Sequence, residues 1–181
     1  MQKLLVCDTE TGGLNPEKHS LLTIGMVFVM FKNKRAEIIE ELHIPIKHEK
    51  YIIEKQAQEV NLIKVEEHDK IALPIGEAKK KIHEFMTKHK LFDTIICGQN
   101  IGFDIGFLKQ LYTEKEYPFH YHNVDTKAIW CYLKLQEKIP YGLGNSLKEM
   151  ANYFEIDYSN AHNAIADCKI TIQVLEKMLK L

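Results

Sequence analysis

The sequence predicts an α/β domain in which a mixed β-sheet carries helices on its faces. Two observations lead there. The first 46 residues hold three runs rich in Leu, Ile, Val and Phe at strand length, whereas residues beyond 75 alternate short buried strands with apolar residues at helical spacing. Residues 3–8 (Lys-Leu-Leu-Val-Cys-Asp) are expected to form a buried first strand, residues 21–32 a second and residues 35–46 a third of roughly alternating character. Asn33-Lys34, between the last two, suits a tight hairpin turn. Ile75, Ala78, Ile82, Phe85 and Met86 recur at helical spacing and predict an amphipathic helix over about 75–89. Residues 93–97 read as a short buried strand, followed by a helix over about 103–114. A strand at Asn123-Val-Asp-Thr126 leads into a helix over 126–137, and helices near 146–154 and 163–180 complete the pattern.

A chain of 181 residues is long enough to bury a core without disulfides or structural metal, and it contains no low-complexity tract, repeat or Gly/Ser/Pro-rich linker. One domain over residues 1–181 is the expectation. The four cysteines lie far apart without a C-x-x-C pair, which favours buried free thiols. No apolar run approaches the roughly 20 residues of a membrane span. The acidic motif begins after only seven residues, leaving no room for a signal peptide, so a cytoplasmic protein without membrane contact is expected. A net charge of −1 argues against a protein that coats nucleic acid through a broad basic surface. It is compatible with an enzyme that grips a few terminal nucleotides.

Three motifs carry chemistry. In Asp8-Thr-Glu10, residues i and i+2 of a strand face the same way, so two carboxylates share one side while Thr9 points to the other. Like charges so placed call for a cation between them, and hard divalent ions such as Mg²⁺ or Mn²⁺ prefer oxygen ligands. Thr11-Gly12-Gly13-Leu14 then makes a turn whose backbone N–H groups can approach a ligand. In the second motif, Gly98-Gln-Asn100-Ile-Gly-Phe103-Asp104, a strand ends and a helix begins, with Asp104 in the first turn where the helix dipole favours an anion. The third motif is Asn160-Ala-His162-Asn-Ala-Ile-Ala-Asp167, with Asn163 as the expected N-cap and Ala164 as the first helical residue. Five residues span about 500° of a helix, so His162 and Asp167 converge only if His162 lies on the loop before it.

The ordered set D-x-E, N-x-x-F-D and H-x-A-x-x-D resembles the DEDDh (DnaQ-like) 3′–5′ exonuclease family, which includes the proofreading epsilon subunit of bacterial replicative polymerase and ribonuclease T. The resemblance runs from Leu4 to about Leu175. It implies a ribonuclease H-like mixed sheet of about five strands flanked by helices. It implies that Asp8, Glu10, Asp104 and Asp167 bind two Mg²⁺ or Mn²⁺ ions and that His162 is the general base. The expected reaction is metal-dependent hydrolysis of single-stranded DNA or frayed 3′ ends to nucleoside 5′-monophosphates. An exoribonuclease trimming RNA ends and a polymerase-associated proofreading subunit are the alternatives. By analogy, Thr9, Thr11, Gly12, Leu14, Asn100 and Phe103 become candidate substrate-binding residues, with Leu14 and Phe103 set against the last bases. Asn61-Leu62-Ile63 resembles a family segment near the terminal base, and Asp125 a recurrent position that is not taken as a ligand.

The chain departs from the family pattern at Gln99, where His is frequent, and at Gly12, where a second Thr is frequent. Both departures bear on how the terminal nucleotide is held rather than on metal binding. The chain ends at Leu181 directly after the last expected helix, without the tail through which proofreading subunits often dock. A stand-alone enzyme is therefore expected, with a polymerase partner or self-association left open. Lys79-Lys80-Lys81, Lys88 and Lys90 are read as a solvated helix face, His120 and His122 as a loop pair without a third ligand, and Cys168 as a buried thiol.

Overall fold

The computed structural model describes residues 1–159 and 161–181; Asn160, at the head of the third motif, lies outside the described residues. Its sheet has five strands in the order β3-β2-β1-β4-β5. Strands β1 (Gln2–Thr11), β2 (Leu21–Lys32) and β3 (Arg35–Pro45) form an antiparallel meander, and β4 (Ile96–Gly98) and β5 (Asn123–Asp125) add in parallel beside β1. The hairpin between β2 and β3 turns at Asn33 (φ 52°) and Lys34 (φ 62°). Two successive left-handed residues are the type I′ geometry, whose twist matches that of the flanking strands.

Seven helices are present among the described residues: α1 (Lys55–Asn61), α2 (Val65–Ile71), α3 (Ile75–His89), α4 (Gly102–Leu108), α5 (Thr126–Leu135), α6 (Leu147–Tyr153) and α7 (Ala164–Met178). None is long and apolar enough to cross a membrane. Two layers of side chains sandwich the sheet. Leu5, Cys7, Ile24, Met26 and Phe28 pack against Ile82 and Met86 of α3 and Phe107 of α4. Leu4, Val6, Val27 and Val29 pack on the other face against Trp130 of α5, Met150 of α6 and Val174 of α7. The period-2 alternation of β1 and β2 thus divides the core in two.

Several boundaries differ from the sequence expectation. β1 continues past residue 8 to Thr11, because Glu10 pairs with Thr23 and a register shift before Thr11 carries the pairing to Leu21. The β4 segment starts at Ile96 rather than at residue 93, since Leu91 O accepts from Thr94 N and closes a turn there. α4 stops at Leu108 instead of about 114, unwinding through short-range bonds from Gln110 N to Phe107 O and from Leu111 N to Leu108 O. Neither α1 nor α2 was anticipated. Both are one to two turns long and are held by tertiary bonds, Asn61 Nδ2 to Thr11 O in one and His68 Nε2 with Ile46 O in the other.

Gly25 faces the same side as Val27 and lies where α7 meets the sheet. A Cβ there would sit 2.6 Å from the carbonyl carbon of Ala164, the first residue of α7. Cys168 Sγ donates to Gly25 O (3.6 Å) and Val6 O (3.7 Å) from the same helix. Gly25→Ala is therefore expected to push the first turn of α7 off the sheet. Overpacking of this kind costs about 1–3 kcal/mol, which for a chain of this size lowers Tm by about 2–4 °C per kcal/mol. A calorimetric Tm equal to wild type would show that the helix end yields freely.

Candidate active site

The alternation that divides the core also builds the site. Asp8 and Glu10 continue the β1 row of Leu4 and Val6, on the face covered by α7. Asp167, within the first turn of α7, meets them there: one carboxylate oxygen from each of Asp8, Glu10 and Asp167 lies within 4.8 Å of the others. Thr9 continues the opposite row, with Leu5 and Cys7, towards α4. Its N–H (2.8 Å) and Oγ1 (2.7 Å) both donate to Asp104 Oδ1 in the first turn of α4. The strand residue between the two first-motif carboxylates thus holds the second-motif carboxylate in place. Asp104 stands outside the close trio but near enough to Asp8 to be the strongest of its repelling neighbours.

The electrostatics follow from packing these acids together out of water. Burial, then repulsion from Asp104, Asp167 and Glu10, drives the Asp8 carboxyl well above the usual carboxylate range. Burial, then repulsion from Asp167 and Asp104, pushes Glu10 up to about 7. Burial raises Asp104 to about 7 against the opposing hydrogen bonds from Thr9. Asp167 is raised by burial and lowered in part by the His162 N–H and imidazole. Asp167 Oδ1 is buried without a hydrogen-bond partner among the described residues. A buried carboxylate oxygen without a donor, inside a cluster of acids, suits the ligand set of a hard divalent cation.

His162 sits on the loop before α7 with φ 71°, exposed, its N–H 3.2 Å from Asp167 Oδ2. The left-handed backbone makes the break between loop and helix, and Asn163 caps the helix through Oδ1 to the N–H groups of Ile165 and Ala166. Tyr158 was not singled out in the sequence. Its ring meets His162 edge-on at 6.1 Å, and burial, with Asp167, Asp8 and Glu10 nearby, pushes its phenol up to about 12. Only its place four residues before His162 could have drawn attention to it.

A cleft of about 320 Å³ opens beside Glu10. Thr9, Thr11, Leu14 and Phe103 line it together with Gly13, Glu54, Gln56, Ala57, Val60 and Asn61, so four of the six candidate substrate-binding residues come together. Leu14 is 81% exposed at its rim, and Phe103 packs on Phe107 at 5.0 Å. Gly12 does not line the cleft; its N–H donates to Ser20 O (2.8 Å) and its carbonyl accepts from Glu54 N (2.7 Å). Asn100 is also elsewhere, at φ 58° with its N–H donating to Asp125 Oδ1, the side chain that caps α5. A second groove, about 280 Å³, adjoins Glu10 and His162 on the side of α2. The lysines of α3 behave as a solvated face, pairing Lys80 with Glu84, Lys79 with Glu116 and Lys88 with Glu40. His120 stacks on Tyr121 and His122 packs tilted against it, and no third metal-ligating side chain joins them among the described residues.

Comparison with known proteins bears on the family and the fold. No curated protein matches the chain. Among solved structures, Escherichia coli Exonuclease I in complex with a dT13 oligonucleotide is similar over 98% of this chain and 41% of its own, at 22% identity and TM-score 0.77. Exonuclease I from Methylocaldum szegediense is similar over 99% of this chain and 40% of its own, at 18% identity and TM-score 0.79. Cell-death related nuclease 4 covers 99% and 64%, at 14% identity and TM-score 0.77. The chain thus spans about two fifths of the length of the Exonuclease I chains, and the shared fold is the ribonuclease H-like one. The family model RNase_T, described as exonuclease, matches residues 5–175, an interval that takes in all three motifs. The chain belongs to this exonuclease family, of the DEDDh (DnaQ-like) 3′–5′ type.

Proposed function

We propose that residues 1–181 form a single cytoplasmic exonuclease domain that removes nucleoside 5′-monophosphates from the 3′ end of single-stranded DNA. The observation that carries the reading is the convergence of Asp8, Glu10 and Asp167 within 4.8 Å beside His162 and Asp104. Asp8, Glu10, Asp104 and Asp167 would hold two Mg²⁺ or Mn²⁺ ions. Such ions, when bound, lower the pKa of water and offset negative charge on the leaving 3′ oxygen.

The remaining work falls to the chain itself. His162, on an exposed loop, accepts the proton of the attacking water, a role suited to an imidazole near neutral pH. Thr9 keeps Asp104 oriented. The cleft between Leu14, Phe103 and α1 receives the terminal nucleoside, with Leu14 exposed at the rim to meet its base. The preference for DNA rests on the oligonucleotide bound to the related Exonuclease I.

The test is to incubate the protein with Mg²⁺ or Mn²⁺ and end-labelled single-stranded DNA and RNA of one sequence. Stepwise shortening from the 3′ end, abolished by EDTA and faster on DNA, is expected. Faster shortening of RNA would replace the DNA reading with the exoribonuclease one. No cleavage of either substrate would leave a proofreading subunit that needs its polymerase.

A further inference from the structure

The cleft beside Glu10 has two walls that belong to different parts of the chain. One is the loop joining β1 to β2, which carries Leu14; the other is α1, which carries Ala57, Val60 and Asn61. The walls meet through Glu54 N to Gly12 O (2.7 Å) and Asn61 Nδ2 to Thr11 O (3.1 Å), and neither is a long regular element. The loop holds no regular structure between residues 12 and 20, and α1 is only seven residues long, with no side-chain cap at its N-terminal residue Glu54. A helix this short is marginal without tertiary support.

His19 joins the two. It is buried at 8% exposure, an uncommon position for an imidazole in a polar loop. Its Nδ1 accepts from Asn15 N–H (3.0 Å), which places the proton on Nε2 and directs it to Glu54 Oε1 (3.1 Å). One ring therefore ties the residue next to Leu14 to the residue that starts α1. The ring reaches this position only because residue 13 is glycine: a Cβ there would lie 2.4 Å from His19 Nδ1. Gln110, just beyond α4, holds the same loop from outside by donating to His19 O (2.9 Å). None of these groups belongs to the carboxylate cluster.

We propose that His19, through Glu54, is a positioning residue that sets the width of the cleft and so governs how tightly the terminal nucleoside is gripped. This rests on the exonuclease reading of the cleft. The carboxylates are held separately, by Thr9 and by the packing of α7, so loosening the walls weakens binding and spares the chemical step.

The test is steady-state kinetics on labelled single-stranded DNA with the divalent ion present, for wild type, His19→Ala, Glu54→Ala and Glu54→Gln. Losing one such bond is expected to raise KM about tenfold, with kcat within about twofold, the pattern of lost uniform binding. Glu54→Gln keeps a carbonyl oxygen to accept from Nε2, so its KM should rise less than that of Glu54→Ala. In the double variant His19→Ala/Glu54→Ala, the second change should add little to the first. Unchanged KM, or a fall in kcat alone, would overturn the proposal. Glu54 is 53% exposed, so its variants carry the test if His19→Ala fails to fold. If wild type cleaves nothing, the stand-alone exonuclease reading fails by itself and hydrogen exchange decides whether His19 and Glu54 couple the two walls. Joint loss of protection in residues 12–20 and 54–62 of Glu54→Ala supports it, and loss in neither or only one overturns it.

Discussion

Asp8→Ala is expected to leave no measurable 3′ shortening, whereas His162→Ala should leave a slow enzyme, about 10²–10⁴-fold below wild type. The difference follows from where the two groups stand. Asp8 lies at the centre of the site, half-buried, with Asp104, Asp167 and Glu10 all close enough to perturb it. Removing its carboxylate takes a proposed metal ligand from the middle of the set and opens a hole between the others. His162 lies at the edge, exposed, fixed to the cluster by its backbone N–H rather than its ring. Deleting the imidazole leaves the four carboxylates as they are, and solvent can take the proton at a lower rate. Asp167→Ala belongs with Asp8→Ala, because it also strands the His162 N–H that Asp167 Oδ2 accepts. The measurement is turnover of labelled single-stranded DNA under saturating divalent ion, with circular dichroism to show that each variant folds. Equal residual activity in Asp8→Ala and His162→Ala would contradict the division of roles.

Much of this arrangement is legible in the sequence. Alternation along β1 was enough to put Asp8 and Glu10 on one side and Thr9 on the other, because the strand is flanked by two layers and each side chain must choose one. The helical angle between His162 and Asp167 required a loop before Ala164, and the loop is there with Asn163 as the cap. What Thr9 does was not legible. Its partner Asp104 is 95 residues away, and only the parallel placement of β4 beside β1 brings the start of α4 to it.

The cleft was harder still to read. Its second wall, α1, has the sequence Lys-Gln-Ala-Gln-Glu-Val-Asn, with little apolar periodicity to announce a helix. It forms because Asn61 reaches Thr11 O and Glu54 reaches both Gly12 O and His19. These are long-range contacts, and local propensity does not encode them. The same holds for Gly12, a candidate on the strength of its turn. Its backbone groups are consumed in joining that turn to Ser20 and Glu54, so its part is to shape the wall.

Stripped of divalent ions, the protein should lose stability as the pH rises from 5 to 8, and Mg²⁺ or Mn²⁺ should restore it most at the upper end. The sign follows from the carboxyls of the site. Glu10 and Asp104 are both raised to about 7, against ordinary values near 4, and Asp8 is raised as well. Between about pH 4 and 7 the folded chain holds protons that the unfolded chain has released. Stability from these groups is thus fully present below the unfolded pKa and is lost as the pH passes the folded one. A single carboxyl shifted this far carries on the order of 3 kcal/mol. That corresponds to a fall in Tm of about 6–12 °C for a chain of this size. The surface carboxylates Glu40, Asp69 and Glu116 are shifted downwards by their lysine and hydrogen-bond partners, so they act in the opposite sense, below the ordinary carboxylate range. They do not mask the neutral window. A divalent ion competes with protons for the same oxygens, so its stabilising effect should grow as the carboxyls ionise. Glu10→Gln removes one of the repelling charges and should flatten the profile in EDTA while weakening the response to metal. Scanning calorimetry at pH 5, 6.5 and 8, in EDTA and in Mg²⁺, reads both effects. A Tm in EDTA that holds or rises from pH 5 to 8 would mean that the acids are not held in mutual repulsion. A metal response equal at the two ends would mean that the ion binds somewhere other than among them.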